Sequence, residues 1–145
     1  MKAISTTRRI SSPINVVFQT ISDIRNFSQA VDGIINIEFL TEQQVGQGTR
    51  FRETRDMNGR EATVELEVAE YVENERIRMV SDAGGTVWDT VFSVTEDGDV
   101  TEMKMVMEAK PHKFLSRIMN PLIRSFVAKA VESDMDAVKK WCESR

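Results

Sequence analysis

One cysteine, one histidine, three prolines and no hydrophobic run of bilayer-spanning length stand in a chain of 145 residues, and each shortage excludes something. Cys142 has no second cysteine to meet, which rules out an internal disulfide and a multi-cysteine metal site. His112 is the sole histidine, so any Ser-His or Cys-His arrangement would have to run through it. It stands beside Pro111, where a strand pattern gives way to a helical one, and a surface or capping role fits that position better than catalysis. The zinc-binding HExxH, the CxxC pair, the GxSxG elbow and the phosphate-binding GxxxxGK[ST] are all missing. Gly46-Gln47-Gly48 is two glycines around a hairpin turn, not a phosphate cradle. No metal and no cofactor is implied. Nineteen Lys and Arg against 23 Asp and Glu give a net charge of -4, leaving no overall positive field to gather nucleic acid. The opening residues show no signal-peptide core, so the expected compartment is the cytoplasm, with no stable insertion into a membrane.

What is present is ordinary globular balance, 41% hydrophobic and 29% charged residues, in a length that suits a single domain, residues 1–145. Residues 2 to 10 read as a strand with Ile4, Thr6, Arg8 and Ile10 on one face. The period then changes: Ser12 is expected to cap a helix opening at Pro13, with Ile14, Val17, Phe18 and Ile21 as its apolar stripe. A second short helix over 23–31 buries Ile24, Phe27 and Val31.

From Ile34 to Ala109 strand follows strand, the pattern of an antiparallel meander. Ile35, Ile37 and Phe39 alternate first; Thr49, Phe51, Glu53, Arg55 and Met57 share a face of the next strand; Asn58-Gly59 makes a hairpin turn. Val64, Leu66 and Val68 alternate with Glu65 and Glu67, giving a buried face and an acidic outer one to which Glu61 also belongs. Ile77 and Met79 point inward after it, then Trp88, Thr90, Phe92 and Val94, then Met103, Met105 and Met107. Beyond His112 the spacing is helical to the end, through Leu115, Ile118, Met119, Leu122, Ile123, Phe126, Val127, Ala130, Val131, Met135, Val138 and Cys142. Asn120-Pro121 breaks or restarts that helix, and from Pro121 to Glu143 it would run roughly 34 Å. So long an apolar helix needs a large partner, and the meander's apolar face is the one on offer. A twisted sheet of six or seven strands curves around it and leaves space beneath.

Three stretches in this order resemble a known family. Ile10-Ser11-Ser12-Pro13-Ile14-Asn15-Val16-Val17-Phe18 with Ile21-Ser22-Asp23, then Val45-Gly46-Gln47-Gly48-Thr49-Arg50-Phe51, then Met119-Asn120-Pro121-Leu122-Ile123, are similar to the opening, the glycine turn and the last-helix entry of the START-like, or Bet v 1-like (SRPBCC), superfamily. The likeness lies nearest its polyketide cyclase/dehydrase-like branch. It implies an α+β helix-grip fold with a cavity between sheet and helix. Phe27 departs from the pattern, since many relatives carry tryptophan there. These are structural motifs, and fold does not settle function.

The chemistry rests on candidates. Strict alternation points Glu53 and Arg55 into the concavity, where charge is costly unless paired. They would be an acid or base and an anion binder, or else a structural ion pair, or a pair turned outward by a bulge. Arg8 would join them or reach back to water. Phe51, Met79, Trp88, Phe92, Met103, Met105, Met107 and Phe126 would line the ligand site, or would simply fill the core. Lys113, Arg117, Arg124 and Lys129 form a basic stretch without an acid between His112 and Val131, able at most to steer toward anionic lipid. The leading expectation is a binding module for a small hydrophobic molecule: a lipid, a fatty acid or a polycyclic, polyketide-like compound. The alternatives are a cyclase/dehydrase-type enzyme using Glu53 and Arg55, and an interaction module resembling the Hsp90-activator homologues. A monomer or a weak homodimer is expected, since nothing specifies more.

Overall fold

In a computed structural model of the chain, residues 3–113 and 121–145 are described. The elements run β1 (Ile4–Ile10), α1 (Ile14–Ser22), α2 (Ile24–Ala30), β2 (Ile34–Phe39), β3 (Arg50–Met57), β4 (Arg60–Val72), β5 (Arg76–Ala83), β6 (Thr86–Asp97), β7 (Val100–Pro111) and α3 (Pro121–Glu143). The seven strands form one antiparallel sheet in the order β1-β7-β6-β5-β4-β3-β2. Because β1 and β2 are adjacent in the chain yet occupy opposite edges, α1 and α2 must carry the chain across the open end of the curve. The expected helical turns through Leu115, Ile118 and Met119, the cap at Asn120 and the cation Arg117 lie outside the described residues, as do residue 2 and the side chains of Leu122 and Ile123.

The hairpin turns follow from backbone chemistry. Asn58 and Gly59 hold φ of 57° and 88°, the doubly left-handed pair of a type I′ turn whose twist matches that of β3 and β4. Gly84 and Gly85, at 63° and 82°, do the same between β5 and β6.

Two local expectations are corrected. Ser12 does not cap α1: Pro13 is the N-cap and no side chain bonds there. Ser12 is instead buried against the sheet, its carbonyl accepting from Thr101 Oγ1 at 2.7 Å. At β2, a bulge between Ile34 and Asn36 adds a residue against β3 and turns Ile35 outward, 49% exposed, while Ile34 takes the buried position. The cap that does form is Asp23 on α2, whose Oδ1 accepts from Arg25 N at 3.0 Å. Asp23→Ala should lower the unfolding free energy by about 1 kcal/mol in urea titrations.

Packing is uneven along α3. Its C-terminal half buries Met135, Val138 and Cys142 completely, close against β1, α1 and α2, in the core that also holds the ring pairs Phe18–Tyr71 and Phe27–Phe92. Its N-terminal half carries the exposed Phe126 and the half-buried Val127 and Ala130. Among the described residues α3 lies close against β1, α1 and α2, and stands off the central strands. One end of the grip is solid and the other is hollow.

The convex face is less uniformly acidic than expected. Glu61, Glu65 and Glu67 are exposed there, but Arg50 pairs with Glu65, and Arg52 with Glu38 at 3.2 Å. Further along the face, Asp89 is clasped by Nε and Nη2 along one edge of the Arg78 guanidinium, at 2.9 and 2.7 Å, and by Lys110 at 3.1 Å. Arg78 holds the Asp89 carboxyl below the usual range against the opposing effect of burial.

Candidate functional site: an apolar cavity with an ionised end

The space between the hollow half of α3 and strands β3–β7 is a cavity of about 300 Å³. The strand register explains its walls. Phe51 lies opposite Leu66, and Ser81 opposite Trp88, so alternate residues of neighbouring strands form apolar rows across the concave face. Of the sequence-expected ligand set, Phe51, Glu53, Arg55, Met79, Trp88, Phe92, Met105, Met107 and Phe126 all border the cavity. Met103 does not: it sits opposite Arg8 and Val94 on the packed side of β7, fully enclosed in the core. Phe126, 48% exposed, stands at the rim of the cavity.

Alternation along β3 directs Glu53 and Arg55 inward, and the two meet a third charge. Arg55 Nε donates to Glu53 Oε1 at 2.5 Å. Its Nη1 and Nη2 each lie 3.0 Å from an oxygen of Asp134, one turn beyond Ala130 on α3. This two-pronged clasp is the geometry in which a guanidinium holds a carboxylate best. Glu53 is 6% exposed and Asp134 9%. Burial alone would lower the Arg55 guanidinium, but Glu53 and Asp134 outweigh it and keep it charged. Burial pushes the Asp134 carboxyl above the usual carboxylate range, and Arg55 only partly offsets that. The cluster ties sheet to helix at the boundary between the cavity and an outer groove that Asp56, Lys129 and Ser133 also line.

Asp134 escaped the sequence reading. The signal was an acid at the buried spacing of Val131, Met135 and Val138, the stripe on which every other side chain is apolar. Two hydroxyls were not singled out as site groups, although alternation places Thr49 on the inward face: Thr49 Oγ1 and Ser81 Oγ are buried without a partner among the described residues, and both residues border the cavity. Arg8 does not join the cluster. It pairs with Glu132 and with Asp136, the latter at 2.7 Å, on the outer side of α3. His112 reaches Asp82 at 2.8 Å on the exposed surface, and Cys142 is buried beside Thr20 with its thiol pushed up by burial. Among the described residues no group of acids, His or Cys could hold a metal ion, and no helix is long and apolar enough to cross a membrane.

Solved structures with this arrangement include Ara h 8.0201, at 11% identity and TM-score 0.81, each chain covered to 99%. The protein TTHA0849 from Thermus thermophilus matches at 16% identity and TM-score 0.80, covering 99% of this chain and 98% of that one. A START superfamily protein from Mycobacterium smegmatis matches at 15% identity and TM-score 0.80, with 98% and 97% covered. At these identities the likeness establishes the fold, the Bet v 1/START helix grip. No curated protein matches by sequence. Family and fold together support a hydrophobic-ligand-binding domain. Residues 1–143 match the family described as polyketide cyclase / dehydrase and lipid transport, and the chain belongs to that family.

Proposed function

We propose that the protein binds one small hydrophobic molecule in the cavity between β3–β7 and α3. The observation that carries this reading is the unfilled space of about 300 Å³, walled by Phe51, Leu66, Met79, Trp88 and Phe92 in a fold whose other half is packed solid. Protein interiors close such voids unless something else occupies them. Four methionines, Met57, Met79, Met105 and Met107, border the space, and their flexible thioethers conform to irregular apolar shapes. Among the described residues the Thr49 and Ser81 hydroxyls have no partner, and an oxygen-bearing occupant would supply one.

Titration with Nile red, a neutral apolar fluorophore, tests this. One molecule per chain should bind with a blue shift and a large gain in emission. No uptake of Nile red, or uptake at scattered sites without saturation, would overturn the reading.

A second reading, a cyclase/dehydrase-type reaction, is favoured by one observation: a carboxyl raised by burial at the edge of an apolar cavity, as Asp134 is, can hold and return a proton. Compounds recovered with the wild type and with Asp134→Asn from the same host should then differ by a dehydration or a ring closure. Identical compounds would leave binding alone.

A further inference from the structure

The ionised end of the cavity carries an unequal count of charges. Among the described residues bordering the space, Arg55 is the one cation, and Glu53 and Asp134 are both acids. Arg55 is spoken for: its Nε serves Glu53, and one N–H on each of its terminal nitrogens faces Asp134. Among the described residues, two of its five N–H groups have no partner and nothing donates to Glu53 Oε2. A ligand head group arriving here meets two donors, several acceptors and, with all three residues ionised, one net negative charge. Arg55 therefore does not present the free guanidinium that binding of a carboxylate requires.

Resting on the ligand-binding reading above, we infer that this end of the cavity selects a hydrogen-bond-donating head group without negative charge, so that its ligand is an apolar alcohol or amine and not a fatty-acid anion. A hydroxyl fits the inventory best, because it can accept from a spare Arg55 N–H and donate to Glu53 at once. An ammonium can donate to the carboxylates and gains from their excess charge. A carboxylate can only accept; it must sit beside two like charges that are themselves buried, where repulsion is screened less than in open water. The hydroxyls of Thr49 and Ser81 add no charge to alter this balance. Thr49 leads directly into β3 and stands four residues before Glu53, roughly 13 Å away, so a ligand extended along the strand reaches both the ionised end and a neutral hydroxyl.

The test is displacement of Nile red by dodecan-1-ol, dodecylamine and dodecanoate, which share one chain and differ in head group, each kept below its micelle onset at pH 7.5. The alcohol and the amine should compete at least about tenfold better than the carboxylate. In Glu53→Gln and Asp134→Asn, checked for folding by retained Nile red binding, the handicap of dodecanoate should shrink and the advantage of the amine over the alcohol should fall. Dodecanoate competing as well as or better than the other two, or a ranking that neither substitution moves, would overturn the inference while leaving cavity binding intact. Absence of Nile red binding by the wild type would remove both.

Discussion

Arg55→Met should destabilise the protein by about 3 kcal/mol at pH 7, a loss far beyond that of an exposed ion pair. The substitution keeps the apolar stem of the side chain and ends where the guanidinium begins. What it removes is the single cation between Glu53 and Asp134, both buried and both left with no opposite charge. The cost comes from those stranded carboxylates more than from the lost attraction, which leads to a further expected result. A triple variant, Glu53→Leu with Arg55→Met and Asp134→Leu, should return to within about 1 kcal/mol of the wild type or exceed it. Urea unfolding of the three proteins measures both effects. Acid should also rescue the single variant. Asp134 already has a carboxyl raised by burial, so in this region the folded state holds a proton more tightly than the unfolded chain. Stability from such a group falls as pH rises through the window above the unfolded value of about 3.9, and recovers as pH falls back through it. With Arg55 gone the window widens upward, and the deficit of Arg55→Met should narrow steadily from pH 7 toward pH 5. A deficit that is constant across that range would mean that the cluster is not carrying charge.

Filling the cavity should separate binding from folding. Val64 and Leu66 point inward from β4 opposite Glu53 and Phe51, and both border the space. Val64→Phe combined with Leu66→Trp projects two larger side chains into the cavity of about 300 Å³. Nile red affinity should fall by more than about tenfold, since an occupied pocket offers the ligand little apolar surface to cover. Stability should change by no more than about 1–2 kcal/mol, because the added volume enters a void and does not displace packed neighbours. Equal loss at Met103→Leu, in the solid part of the core, would argue that the probe reports general loosening.

Much of this was legible in the sequence, and the divisions have physical causes. Strands with strict two-residue alternation, such as Trp88 to Val94 and Met103 to Met107, announce their faces because one side meets the core and the other water. The long stripe of α3 likewise demanded a sheet to cover it. Alternation could place Glu53 and Arg55 inward but could not reveal Asp134, whose relation to them depends on how α3 lies across β3, a contact 79 residues distant in sequence. The bulge at Ile35 was hidden for a related reason: an apolar residue at an apolar period looks inward, and only pairing with β3 shows the extra residue. Met103 carried the same signature as Met105 and Met107. What separates them is the change along β7 from the packed end to the hollow end, a property of the whole assembly and not of the strand.

The most direct measurement uses the methionines as reporters. With ¹³C-methyl-labelled methionine and bound dodecan-1-ol, intermolecular nuclear Overhauser effects should connect the ligand to Met79, Met105 and Met107, with Met57 near its rim-side end, and none should reach Met103 or Met135 in the solid core. Effects at Met103 or Met135 with none at Met79 and Met107, or ligand contacts confined to the outer surface, would contradict a binding site between the sheet and α3.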